Sequence, residues 1–376
     1  MSTPRIQINS DIKDDELRFT ISNINVSFVN ALRRIILSEI PLVIFRVSPH
    51  NESKCVVMSN DTTNLSVEIL THRLSLVPIY IKNTDEFPIK NYIMTLNVEN
   101  NTDTYMEVTT KDFVIKEIST GNPIDEEKNR EIFPANDLTG DFILFAVLRP
   151  KPAQEFKPKT IKLTCEFDIG MAKENAAYNA ASTCTHIRTI DEGRQNAKLQ
   201  QMRQKWKDEG KTADEIEFES ENWKLLEGKR IFLEDTFDFR LQTACVYSNV
   251  ELLILACKIM VNKLEKIDTL IEQDNLEIKL AESKMSNSFD IVLDGEDYSL
   301  GNVLEYMLQQ KYYFNSKIMS SCSFSMNHPH DNYGVIRVAY FEPVEKLFIK
   351  GNLKEAATDC VNIFNTIKNE FIRLVK

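Results

Sequence analysis

This chain of 376 residues writes one strand–helix unit twice, and that repetition limits what it can fold into more than any other feature. In the first copy Leu17, Phe19 and Ile21 are apolar while Arg18 and Thr20 are polar, the two-residue period of a half-buried strand. From Val26 the period lengthens. Val26, Phe28, Val29, Leu32, Ile35 and Ile36 fall at helical spacing, with Ser27 placed to cap the start and Pro41 beyond the end. The second copy, Phe289 to Leu308, follows 272 positions later without a gap. Leu17, Phe19 and Ile21 become Phe289, Ile291 and Leu293; Ser27, Phe28, Asn30 and Leu32 become Ser299, Leu300, Asn302 and Leu304.

Each copy is followed, later in its own half, by a long apolar seam. Val250, Leu253, Cys257, Met260, Leu264, Ile267 and Ile271 alternate steps of three and four, as do Leu353, Ala357, Cys360, Phe364, Ile367, Phe371 and Leu374. Leu252, Leu255, Ile259 and Ile363 are apolar off the seam, so these helices need more than one packing partner. Two such helices from two similar halves imply a pairing in which one face meets a sheet and another meets the opposite half. Each buried seam side chain contributes roughly 1.5–3 kcal/mol before entropy is charged.

The length allows two or three domains, and 43% hydrophobic with 27% charged residues is a globular balance. The polar N-terminus and the lack of an 18-residue apolar run predict neither a signal peptide nor a membrane span. Seven cysteines, spread from Cys55 to Cys360, read as reduced core thiols of an intracellular protein. A net charge of −11 disfavours direct, sequence-independent binding of nucleic acid and suits an acidic scaffold with basic protein partners.

Between the two copies the chain reads mostly as β. Strands are expected over Leu42–Val47, Lys54–Met58, Leu76–Ile81, Tyr92–Glu99, Tyr105–Thr110, Phe113–Ile118, Phe142–Leu148 and Thr160–Ile169, with one short helix over Leu65–Leu74. Ile118–Leu138 reads as a loop with little structure. Asp191–Asp235 holds 12 acidic and 9 basic residues and reads as a solvated helical excursion anchored by Met202, Trp206, Trp223 and Leu226. Phe237–Tyr247 resumes strand, and Glu272–Ser288 is a linker into the second half. There, two strands flank a turn at His328–Pro329–His330 before the final helix.

Catalytic motifs are missing: no glycine-rich phosphate loop, H-E-x-x-H, G-x-S-x-G or C-x-x-C. Asp294, Glu296 and Asp297 could be taken for a Mg²⁺ site, but Ser22, Ile24 and Asn25 stand at their places in the first copy. They read better as a strand end favouring the following helix N-terminus. His328 and His330 flank a proline in a polar turn without a nearby cysteine, a poor metal site. Adjacent Arg33 and Arg34 cannot both face a core, so at least one is offered to solvent or a partner; the second copy has Glu305 and Tyr306 there.

With these residues in view, NINVSFVNALRRIILSEIP, ILTHRLSLVPI (Ile69–Ile79), IKLTCEFDIGMAKENAAYNAAS (Ile161–Ser182) and FDFRLQTACVYSNVELL (Phe237–Leu253) resemble the third-largest, alpha-like subunit of eukaryotic RNA polymerase II and its archaeal D-type counterpart. DGEDYSLGNVL and NHPHDNYGVIRVAYF resemble its smaller partner, of the archaeal L type. The resemblance covers nearly everything except Asp191–Asp235. It implies an α+β chain with two alpha-like dimerisation domains pairing as an intramolecular pseudo-heterodimer. The first would comprise residues 1–47 and 183–275, with a mostly β domain (48–182) inserted; a linker (276–287) and the second domain (288–376) follow.

The resemblance further implies a non-catalytic assembly platform of a DNA-directed RNA polymerase, a nucleotidyltransferase only as a complex. Its expected partners are the largest and second-largest subunits and small polymerase subunits, with DNA and RNA met only through the complex and no homodimer. Both partners on one polypeptide resemble the fused subunit of large DNA viruses, which implies viral transcription in host cytoplasm and virion, or otherwise a nuclear location. A polymerase I or III scaffold, or an unrelated enzyme using the β region, are the alternatives. The pairing interface is expected at Phe28, Leu32, Ile36, Leu253, Met260, Leu264, Ile267, Leu300, Leu304, Leu308, Phe364, Ile367 and Phe371. Subunit docking is expected at Arg33, Arg34, His72, Arg73, Gly170, Lys173 and Asn175. Relatives often hold zinc or an iron–sulfur cluster in the inserted domain; with only Cys55 and Cys165 in that region, no metal is expected, nor the DNA-contacting C-terminal domain of bacterial alpha.

Overall fold

A computed structural model describes residues 3–10, 15–62, 65–151, 153, 155–244 and 246–375. It is a mixed α and β structure that divides into two compact units. The first holds residues 1–36, 183–242 and 249–376; the second holds 37–182 and 243–248. In chain order the elements begin β1 (Arg5–Ile8), β2 (Glu16–Ser22), α1 (Val26–Ser38), β3 (Leu42–Phe45), β4 (Cys55–Asn60), α2 (Val67–Ser75) and β5 (Tyr92–Asn100). Then come β6 (Met106–Thr109), β7 (Val114–Glu117), α3 (Glu126–Ile132), β8 (Leu144–Leu148), β9 (Lys159–Gly170) and β10 (Ala181–Ile190). The central stretch gives α4 (Glu192–Asp208), α5 (Ala213–Leu225), β11 (Phe232–Thr243) and α6 (Asn249–Glu272). The chain closes with β12 (Ile278–Leu280), β13 (Ser288–Asp294), α7 (Tyr298–Leu308), β14 (Met319–Ser325), β15 (Tyr333–Tyr340) and α8 (Lys346–Val375). No described helix is long and apolar enough to cross a membrane.

The first unit is built from two sheets of the same design. One runs β1-β2-β11-β10, the other β12-β13-β15-β14. The repeat therefore extends well beyond the twenty residues visible as sequence: each half is strand, strand, helix, strand, strand, long helix. The 272-residue offset holds at both ends of the repeated strand, β2 against β13, and at the first residue of the following helix, Val26 against Tyr298. The three strands not foreseen from sequence, β1, β10 and β12, explain why the similarity looked shorter than it is. β1 and β12 are four and three residues long and lie at sheet edges, where little side-chain burial imposes a pattern. The linker thus contains an edge strand, β12 pairing antiparallel with β13 (Ile278 opposite Ile291).

Between β10 and β11 the charged excursion forms a helical hairpin, α4 and α5. Asp191 caps α4 by accepting from the Arg194 amide at 2.9 Å, and Thr212 with Glu215 forms a capping box on α5. Its small core is Leu199, Trp206 and Ile216 with Met202 and Trp223 alongside; Leu226, expected as an anchor, is exposed. The turn before β14 is a π-helical segment, Gln309–Asn315.

The second unit centres on a sheet ordered β3-β9-β5-β7, with β4 also on β9, and a small β6–β8 pair. Phe45, Phe87, Phe113, Phe133, Phe145 and Phe167 fill its core. Two sequence expectations change here. Leu76–Ile81 is not a strand, yet its alternation is real: Val77, Ile79 and Ile81 are buried in that core while the backbone runs without strand partners. Ile118–Leu138 is not structureless, because α3 forms within it. Asn129 of α3, only 6% exposed, donates to the Phe113 carbonyl (2.7 Å) and accepts from the Ile115 amide (3.2 Å), which ties the helix to β7.

Candidate functional site

The residues with the clearest joint geometry are those that join the two repeats of the first unit. Their placement starts at the helix N-termini. Asn25 Oδ1 accepts from the Ser27 amide at 2.9 Å, and Asp297 Oδ1 accepts from the Ser299 amide at 2.7 Å. These are matching positions in the two copies, so Asn25 and Asp297 are the caps and Ser27, expected in that role, is not. The Asp297 carboxylate therefore serves its helix, as expected, and does more besides.

Arg34 of α1 reaches across to the second copy. Its Nη2 lies 2.6 Å from Asp297 Oδ2 and its Nε donates to Ser299 Oγ at 2.7 Å. Burial alone would raise the Asp297 pKa. The Ser299 hydrogen bonds and the Arg34 guanidinium together outweigh it and hold the carboxyl below its ordinary value. Arg34 is thus used inside the chain, which corrects the expectation that the arginine pair points outward. The reciprocal corner is different in chemistry. Tyr306 stands where Arg34 stands in the first copy; its ring meets Phe28 edge-on at 6.1 Å, and it lines with Asn25, Asp235 and Ile363 a cleft of about 110 Å³.

Apolar contacts fill the space between these corners. Phe28 of α1 packs on Phe364 of α8 (5.3 Å), and Phe19 of β2 stacks on Phe239 (4.8 Å) while meeting Phe371 of α8 edge-on (5.2 Å). The final helix therefore covers the sheet of the first repeat. Each such aromatic pair adds about 0.5–1.5 kcal/mol beyond area burial. All thirteen residues expected at the pairing interface are buried, none more than 3% exposed. α6 and α8 pack together and run antiparallel. Lys354, early in α8, meets Glu272 at 2.7 Å and Asp268 at 3.8 Å late in α6, and Lys350 pairs with Asp274. Lys263 of α6 reaches Glu296, just before α7, at 2.8 Å, with the two side chains 16% and 12% exposed. The sequence signal for these polar links was the 272-residue offset itself, which puts Asn25 opposite Asp297 and Arg34 opposite Tyr306. The Lys263–Glu296 pair and the Phe19–Phe371 contact had no such signal.

The residues expected to dock other subunits are more varied. Arg33 Nε and Nη2 donate to Asn30 Oδ1 at 3.1 and 2.9 Å, leaving the guanidinium partly exposed on α1. Its charge, after burial, helps keep the half-buried His186 below the ordinary imidazole range. In the second unit His72 and Lys173 are exposed. Arg73 donates to the Leu144 carbonyl of β8 at 2.8 Å, and Asn175 accepts from the Ala177 amide at 3.0 Å. Gly170 is buried: a Cβ there would lie 2.5 Å from Ile44 Cδ1 and 2.8 Å from the Tyr178 ring. It permits close packing and offers no surface of its own. Arg46 beside it binds Asp168 at 2.5 Å and Glu174 at 3.1 Å. Among the described residues no group of three histidine, cysteine or carboxylate side chains is placed to hold a metal.

Comparison with known proteins matches residues 18–264, well over half the chain, to the RNA polymerase Rpb3/Rpb11 dimerisation domain. The match ends within α6, so the second repeat lies beyond it. The chain is 26% identical over 199 residues to DNA-directed RNA polymerases IV and V subunit 3B of Arabidopsis thaliana, covering 49% of this chain and 56% of that protein. It is 27% identical over 175 residues to DNA-directed RNA polymerase II subunit RPB3 of Schizosaccharomyces pombe, covering 46% and 56%. With DNA-directed RNA polymerase subunit Rpo3 of Thermococcus kodakarensis identity is 34% over 91 residues, covering 23% and 32%. The chain thus spans about half the length, or less, of these relatives. On the strength of the family match, which takes in β2, α1 and most of α6, the chain belongs to the RNA polymerase Rpb3/Rpb11 dimerisation domain family.

Proposed function

We propose that this chain is a non-catalytic assembly platform of a DNA-directed RNA polymerase, in which both members of an alpha-like pair are carried on one polypeptide. The observation that carries the reading is the second complete repeat packed against the first through α6, α8, Phe28–Phe364 and Arg34–Asp297. On this reading, the surface by which a dimerisation-domain family would meet its partner is taken up by the second repeat of the same chain. Fusion replaces a bimolecular encounter by an intramolecular one at high effective concentration, so neither half must find the other. The second unit, inserted in sequence between α1 and β10, is the added domain of the larger partner.

The buried pairing surface leaves docking to residues outside it. We assign that role to Arg33 in the first unit, and to His72, Arg73, Lys173 and Asn175 in the second. The partners are the largest and second-largest subunits with small polymerase subunits, and nucleic acid is met only through the assembled enzyme. A chain carrying both halves resembles the arrangement of large DNA viruses, which supports a role in viral transcription. The decisive experiment is mass spectrometry of what co-purifies with the tagged protein from its native source. Recovery of both large polymerase subunits with one copy of this chain is expected. Their absence, or a stable homodimer in sedimentation, would overturn the proposal.

A further inference from the structure

Two cysteines of the second unit, 110 positions apart in sequence, are brought face to face. Cys55 on β4 is directly opposite Cys165 on β9 in an antiparallel ladder. The Glu166 amide donates to the Lys54 carbonyl at 3.2 Å, so the hydrogen bonds fall on the neighbouring pair. Cys55 and Cys165 are therefore a non-hydrogen-bonded pair, the kind in which Cα atoms approach to about 4.5 Å and side chains are closest. That separation lies inside the range of about 4.4–6.8 Å that a disulfide spans. Cys55 is half-buried, whereas Cys165 is fully buried.

We propose that Cys55 and Cys165 form a peroxide-sensitive dithiol, with Cys55 the attacking sulfur and Cys165 the resolving one. The Cys55 thiolate attacks one oxygen of hydrogen peroxide; an S–O bond forms, the O–O bond breaks, and the departing hydroxide takes up a proton as water. The Cys165 sulfur then attacks the sulfenic sulfur; the S–S bond forms, the S–O bond breaks, and the second oxygen leaves as water with the Cys165 proton. Two thiols lose two electrons and two protons, and both peroxide oxygens are reduced to water.

The local chemistry matches this division. A hydrogen bond from Cys165 pulls the Cys55 pKa down against the cost of burial, while the same contact and burial push Cys165 up. The other described thiols are unlike Cys55. Cys184, Cys257 and Cys322 are buried and each pushed up to about 12, and Cys360 is likewise driven upward by burial.

The test is to treat the reduced full-length protein with hydrogen peroxide, block remaining thiols with N-ethylmaleimide, and map non-reduced peptides by mass spectrometry. The Cys55 and Cys165 peptides should appear joined, lighter by two hydrogen atoms and separable by dithiothreitol. Cys55 should be consumed about tenfold faster than Cys184, Cys257, Cys322 or Cys360. In Cys165→Ala, Cys55 should stop at a sulfenic acid that dimedone captures; in Cys55→Ser, Cys165 should stay unmodified. A Cys55 that remains alkylatable, that proceeds to sulfinic acid in the wild type without cross-linking, or that joins any other cysteine would overturn the proposal.

Discussion

The Arg34–Asp297 contact offers a direct measure of how strongly the two repeats are coupled, because its two ends lie in different copies. Asp297 does two jobs, capping α7 and receiving the guanidinium, and the substitution must separate them. Asn is as good a cap as Asp, and Asn25 already caps the corresponding helix of the first copy, so Asp297→Asn removes the charge and keeps the cap. Arg34→Met keeps most of the apolar stem. The side chains are 35% and 23% exposed, so the pair is neither fully screened nor fully desolvated. Its charge-assisted geometry at 2.6 Å places the coupling near the upper end of values for surface pairs, about 1 kcal/mol. Urea denaturation of the wild type, both single variants and the double variant would read it. With a slope of about 2 kcal/mol per molar, the coupling corresponds to about 0.5 M in the midpoint. Additivity of the two single effects within about 0.3 kcal/mol would refute the coupling. pH supplies a second check. The folded Asp297 pKa is depressed, so the stabilisation is present in full above the ordinary value of 3.8 and is lost as pH falls from there through the folded value. Asp297→Asn should lack that component of acid sensitivity.

Three further outcomes test other parts of the structure. Leu264→Ala, at a position with no exposure in α6, should cost about 2–5 kcal/mol, and hydrogen exchange should show β2–α1 and β13–α7 losing protection together; loss confined to the first copy would contradict the joint core. Gly301→Ala puts a Cβ 2.3 Å from the Phe324 ring, so overpacking of about 1–3 kcal/mol should exceed the helix-propensity gain of about 1 kcal/mol, and a thermal midpoint equal to or above wild type would refute the close approach. His186, half-buried against Phe237 and Phe239 with its Nδ1 unpartnered, has a lowered pKa, chiefly through burial and then Arg33. Its contribution should be intact above 6.5 and decline as pH falls from there toward the folded value; His186→Phe should remove that dependence in chemical denaturation, and an unchanged slope would refute it.

What the sequence showed best was whatever a buried face imposes on spacing. The strand–helix repeat and both seams follow from apolar periodicity, and the thirteen side chains expected at the pairing interface are all buried. β1 and β12, four and three residues long, are too short for alternation to leave such an imprint, which is why they were illegible and the second sheet looked incomplete. Alternation in Val77, Ile79 and Ile81 reported inward side chains correctly but could not report whether the backbone had a strand beside it. α3 was missed because its anchoring residue is polar: Asn129 is buried for its amide bonds, and apolar periodicity does not record that. Arg34 was misread for a related reason, since an arginine on a helix looks solvent-bound until the partner carboxylate is placed beside it.

The unlike corners around α1 and α7 also decide which pairings are refused. If two first repeats came together, Arg34 would face Asn25, an amide with no charge to offer. If two second repeats did so, Tyr306 would face Asp297, and a partly buried carboxylate would lose its guanidinium. Only the mixed combination gives Arg34 and Asp297 each a charged partner, so a like-with-like pairing would forgo this contact at both corners. A chain with two near-copies of one module runs a standing risk of trading halves with its neighbours. In the assembly proposed above, this asymmetric ion pair would favour a first repeat meeting a second repeat over a like-with-like match, and the covalent link would keep the two in reach of each other.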